Sequence, residues 1–100
     1  MIKVRLDLQL AKAGFLVGWD PEISAAAATY TWTDAEEGRK RKIVLSRGDG
    51  EGIPDDPDEP VQMGLYELDS EKGSWEMLVH DDFPNTGAAL AAIEESPWNV

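Results

Sequence analysis

The sequence predicts an α+β domain: an antiparallel sheet of five or six strands built from hairpins, one C-terminal helix packed on one face, and a long acidic loop. Three observations carry that expectation. Apolar and polar residues alternate in several short runs, turn-forming residues separate the runs, and helical apolar spacing occurs only near the end of the chain. One hundred residues suit a single domain over 1–100 and are too few for two cores.

Ile2, Val4, Leu6, Leu8 and Leu10 alternate with Lys3, Arg5, Asp7 and Gln9, the period of a half-buried strand. Ala13-Gly14 turns the chain and Phe15, Val17 and Trp19 return, so a first hairpin is expected. Asp20-Pro21-Glu22 has the order of a helix N-cap, a first-turn proline and a first-turn acid; residues 21–28 therefore read as a short helix or as a loop. Tyr30 and Trp32 alternate with three threonines, Asp34 to Gly38 make a polar turn, and Arg39 to Ser46 complete a second hairpin with Ile43 and Leu45 inward. The run Arg39-Lys40-Arg41-Lys42 is too densely charged for a core and reads as a solvated strand face.

Residues 47–60 show no periodicity, only Gly, Pro and acid, and read as one exposed loop. Val61, Met63 and Leu65 share a strand face, Asp69 to Gly73 turn the chain, and Trp75, Met77 and Val79 return as the third hairpin. Thr86 is placed to cap a helix over Gly87 to Glu95, which Pro97 ends. The expected core packs Leu6, Leu8, Trp32, Ile43, Leu65, Trp75 and Met77 against Leu90 and Ile93, with Trp19 also on an apolar face. Trp98 lies beyond the helix and either tucks back onto the sheet or anchors a partner.

Charge is divided unevenly. Residues 1–48 carry six acids and eight Lys or Arg, a net +2, whereas residues 49–100 carry fourteen acids and a single Lys, a net −13. A field of that sign repels nucleic acid and anionic membrane and attracts basic proteins or cations. There is no cysteine, which removes disulfides and thiolate metal ligands together. The first residues alternate rather than forming a continuous apolar run, so neither a signal peptide nor a span is expected and a cytoplasmic protein is the default, the host cytoplasm if the gene is phage-borne.

No catalytic set emerges. His80 is the one histidine, followed by Asp81 and Asp82 at a strand end, and reads as a surface residue. No serine sits in a Gly-x-Ser-x-Gly elbow, and the glycines at 48, 50 and 52 precede acid rather than a lysine-bearing helix. Neither enzyme activity nor a cofactor is expected. The segment Asp49-Gly50-Glu51-Gly52-Ile53-Pro54-Asp55-Asp56-Pro57-Asp58 is similar to the Asp-x-Asp-Gly-Ile-Pro-Asp-x-x-Asp repeat of thrombospondin type 3 modules, with Glu51 replacing the second Asp. That resemblance implies Ca²⁺; a solvated acidic loop and a recognition element that orders on a partner are the other readings, and the solvated loop is preferred, so no metal ligand is assigned.

The candidate partner-binding residues are Asp55, Asp56, Asp58, Glu59, Glu67, Asp69, Glu71, Asp81 and Asp82, with Trp98 as an apolar anchor. In these acids the chain resembles, by composition, the small phage anti-CRISPR and DNA-mimic inhibitors and the bacterial nuclease-immunity proteins. The resemblance implies a non-enzymatic inhibitor that docks on a basic surface of a nucleic-acid-handling protein and competes there with nucleic acid, without binding nucleic acid itself. The alternative is a phage or bacterial adaptor that oligomerises through a sheet edge. A calcium-responsive module is the third reading.

Overall fold

The computed structural model describes residues 10, 12–34, 37–48, 52–54, 56–95 and 98. Among the described residues, five strands, β1 (Leu16–Asp20), β2 (Ala25–Thr33), β3 (Lys40–Arg47), β4 (Val61–Asp69) and β5 (Ser74–Phe83), precede the C-terminal helix, α1 (Thr86–Ala92). They form an antiparallel sheet in the order β1-β2-β3-β4-β5, so each strand lies beside its neighbour in sequence. This is the expected α+β arrangement. No helix among the described residues is long and apolar enough to cross a membrane.

The period-two pattern decides which face is core. Ile43 pairs with Tyr30 and Leu65, and Leu45 pairs with Ala28 and Met63, so these side chains share one face. Leu10, Phe15, Val61, Ala89 and Trp98 complete the buried cluster on that face, with Trp32, Leu90 and Ile93 partly buried against it. The helix supplies the covering layer. Asn85 caps it, its side chain accepting from Ala88 N at 2.8 Å, one residue before the expected cap Thr86. The helix stops at Ala92, short of the expected Glu95, and Ile93 is its C-cap.

Several expectations fail for reasons of tertiary context. Residues 25–28 are strand, not helix: each alanine is paired in the β1–β2 ladder, and sheet hydrogen bonding outweighs the weak helical preference of four alanines. The turn before them, 21–24, closes with Ser24 at φ +52°, which ends any helix at its start. The strand after Gly14 pairs with β2, so the first hairpin is β1–β2; the expected partner strand, with Leu6 and Leu8, lies outside the described residues except for Leu10, which is helical. Trp19, expected in the core, is 66% exposed because β1 is an edge strand extending past the helix-covered area. Met77 is 53% exposed and Trp75 faces away from α1, because a register shift opposite Leu65/Tyr66 turns the start of β5 over.

Two glycines are needed where they stand. Gly73 ends the β4–β5 turn at φ +68°, a conformation side chains rarely adopt. At Gly64 a Cβ would lie 2.7 Å from Tyr66 Cε2, so the bare backbone is what lets the Tyr66 ring lie along the sheet. The loop after β3 is less exposed than expected. It folds back, with Gly48 N donating to Pro60 O at 3.0 Å, Arg47 N to Gly52 O at 3.2 Å, and Pro54 buried.

Trp98 and Trp19 make the test of this packing. Trp98 is only 5% exposed and meets Phe83 edge-on at 6.1 Å between ring centres, so Trp98→Ala is expected to cost about 3–5 kcal/mol in urea unfolding. Trp19→Ala should change stability by less than about 0.5 kcal/mol. The reverse order would show that the core is centred at the β1 edge and not beneath α1 and Trp98.

Candidate functional site

The outer face of the sheet, opposite α1, is built on one unexpected residue. Lys42 stands between Thr31 and Tyr66 in the ladder and is 1% exposed, although it belongs to the basic run read as solvated. Its Nζ donates to Asp20 Oδ2 at 2.6 Å and to Glu22 Oε1 at 3.2 Å, and sits 4.7 Å from the centre of the Trp75 ring. The cation is therefore satisfied by two carboxylates and an aromatic face, which is what makes its burial possible. Asp20 and Glu22 come from the end of β1 and the following turn, Trp75 from the start of β5. Lys42 thus ties the two ends of the sheet together across its outer face.

Burial by itself pushes the Asp20 carboxyl up, but the hydrogen bond from Lys42, backbone donors at Glu22 and Ile23, and the lysine charge together hold it below the usual carboxylate range. Glu67 is also held low, first by the Arg39 hydrogen bond, with Arg41 adding to it against a smaller desolvation effect. Burial raises the Tyr66 phenol.

The ion pairs sort the expected partner-binding acids into two groups. Glu67 is engaged within the chain, 2.7 Å from Arg39 Nη1 and 3.3 Å from Arg41 Nε, and Glu59 lies 3.6 Å from Arg47. Asp69 accepts from the backbone of Glu71 and Lys72 and shapes the β4–β5 turn, and Asp56 does the same for Asp58. These are structural acids. Asp81 and Asp82 differ: both are exposed on β5, and neither forms an ion pair among the described residues. Glu71 is likewise exposed at the turn. Trp98 is buried against Phe83, so it is the tucked alternative and cannot serve as an anchor without leaving the core. Asp55 lies outside the described residues, as do Asp49 and Glu51 of the calcium-like segment. Among the described residues no group of three or more acids or histidines could hold a metal ion.

Sequence reading missed the residues that accompany Asp81 and Asp82. Among the described residues β5 pairs only with β4, and it also presents Glu76, Met77 and Leu78, the last 49% exposed. The same strand therefore carries three exposed acids without ion pairs among the described residues and two exposed apolar side chains. His80, also exposed, approaches Gln62 Oε1 at 3.3 Å, in keeping with a surface position. The bulge hid this arrangement, since strict alternation would have buried Met77. A signal for Lys42 did exist: its neighbour on the outer face, Val44, is apolar, a pattern unlike a fully solvated face.

No family model matches the chain, and neither the curated proteins nor the solved structures include one similar to it.

Lys42→Ala is expected to lower stability by about 3–5 kcal/mol, because two carboxylates lose their counter-charge and Trp75 its neighbour. Lys42→Met should lose about half as much, since the apolar stem still packs; equal losses in urea unfolding would show that packing contributes nothing. The carboxylate shifts set an acid limb. Asp20 and Glu67 titrate lower in the folded chain, so their contribution is complete above the unfolded values near about 4 and is lost as pH falls through the folded ones. Glu67→Gln should accordingly lower the melting temperature at pH 7 and converge on the wild type at the acid end of a pH series.

Proposed function

We propose that the protein is a non-enzymatic acidic binding module that docks through β5 onto a basic surface of a nucleic-acid-handling protein and competes there with nucleic acid. The observation that carries this reading is the co-location on one exposed strand of Glu76, Asp81 and Asp82, all without ion pairs among the described residues, with Met77 and Leu78. Docking needs both parts. Exposed charge pairs contribute less than about 1 kcal/mol each, so the acids steer and orient while apolar side chains supply the anchor. Met77 and Leu78 take the anchoring role first assigned to Trp98.

The ion pairs support the same surface. Arg39, Arg41, Lys42 and Arg47 are all held by acids of the same chain, and Asp81 and Asp82 of β5 have no paired cation among the described residues. The second reading, an adaptor that joins copies through a sheet edge, is favoured at the other side of the sheet, where β1 exposes Leu16 and Trp19. At β5 the bulge and the acids oppose edge pairing between copies.

The test is retention of basic proteins from nuclease-treated extract of the native host on the immobilised chain, at low and high salt. Retention of a nucleic-acid-binding protein at low salt, released by salt and by added duplex DNA, is the expected result. The variant Glu76→Gln, Asp81→Asn, Asp82→Asn should associate with that protein about tenfold more slowly and with a flatter salt dependence. Unchanged retention by this variant, with loss in Leu16→Ser, Trp19→Ser, would transfer the function to the β1 edge.

A further inference from the structure

The outer face holds a cavity of about 620 Å³, within the roughly 300–1,000 Å³ of small-molecule sites. Its floor is made of small residues, Ala25, Ala27 and Gly64, where larger side chains would fill the space. Its walls are the aromatic rings of Tyr66 and Trp75 with the Met77 thioether, and the β1–β2 turn closes one end with Glu22 and Ile23. The cavity persists because Lys42 holds that turn and Trp75 toward each other across β3.

The carboxylate lining this space, Glu22, is an acceptor, and the Ser46, Ser74 and Tyr66 hydroxyls and the Trp75 indole N–H add neutral donors. Lys42 is shared by Asp20 and Glu22, so the trio carries one net negative charge, and Glu22 Oε2 takes no hydrogen bond among the described residues. Gln62 Nε2 donates to Gly48 O at 2.9 Å, which orients the amide so that Oε1 faces His80 Nε2 at 3.3 Å. His80 Nε2 is then the donor, and in the neutral ring Nδ1 is left as an acceptor. Flat π-faces beside an incompletely paired carboxylate, on a chain of net charge −11, favour planar cations and disfavour anions.

We propose that this cavity is a binding site for a small planar organic cation, an aryl amidine or guanidine, whose ring packs on Tyr66 and Trp75 and whose charge meets Glu22. The site shares Met77 with the β5 docking surface, but its ring and charge contacts, Tyr66, Trp75 and Glu22, are not the docking residues, and the proposal does not rest on that reading.

Benzamidine, benzamide and benzoate share one ring and differ in charge, so they serve as probes in amide-detected NMR titrations of the intact chain. Benzamidine is expected to give saturable shifts at the Trp75 indole N–H and the Gly64 amide, with a dissociation constant at least about tenfold below that of benzamide and no saturation by benzoate. Glu22→Gln should bring benzamidine to within about threefold of benzamide while Asp20 still holds Lys42. Ala25→Phe, placed at an exposed position, should block the cavity and abolish the shifts with the melting temperature unchanged. The absence of saturable shifts, equal affinity for the three probes, or unchanged binding by Ala25→Phe would each overturn the proposal. So would self-association that protects the same amides, because a second copy would then be the occupant.

Discussion

A buried lysine organises the side of this sheet that the helix does not cover. An isolated ammonium could not remain at 1% exposure; it persists because Asp20 and Glu22 supply charge and Trp75 supplies a ring face. The three partners come from opposite ends of the sheet in sequence and in space. One cation therefore links the β1–β2 turn to the start of β5 across the outer face. The aromatic cavity follows from that closure, since its walls belong to the segments that Lys42 holds.

The other face is governed by apolar burial. Ile43, Leu45, Met63 and Leu65 form a central strip, and Leu10, Phe15, Ala89 and Trp98 close over it from both ends of the chain. Covering so wide a sheet with a helix of seven residues is possible only because Trp98 and Phe83 extend the layer beyond α1. The division of labour is clear: hydrophobic area holds one face, and an ion cluster holds the other.

Charge is handled by the same geometry. The basic run of β3 faces acids delivered by its neighbours, Glu67 across the β3–β4 ladder and Asp20 and Glu22 from the β1 end. Cations of the first half of the chain are thereby matched with acids from both halves. Among the described residues, Glu76, Asp81 and Asp82 have no ion pair, and pairing of β5 to β4 leaves one edge of that strand without a partner strand. The docking surface proposed for β5 inherits its apolar side chains from a local bulge.

The alternation in residues 40–47 and 61–69, the turn at 69–73 and the C-terminal helix were legible because strand period, turn chemistry and helix spacing are local properties of the chain. The net charge and its concentration after residue 48 were legible for the same reason. The candidate site was only partly so: Asp81 and Asp82 stand exposed as expected, whereas Glu67 and Glu59 are held within the chain and Trp98 is core. Four alanines in β2, the burial of Lys42, the exposure of Trp19 and the overturned start of β5 depended on which strand became whose neighbour. Sequence by itself determined the periods, the turns and the total charge; tertiary structure alone decided which charges meet. Ion pairing and burial are set by distances between residues far apart in the chain, and no local pattern encodes those distances.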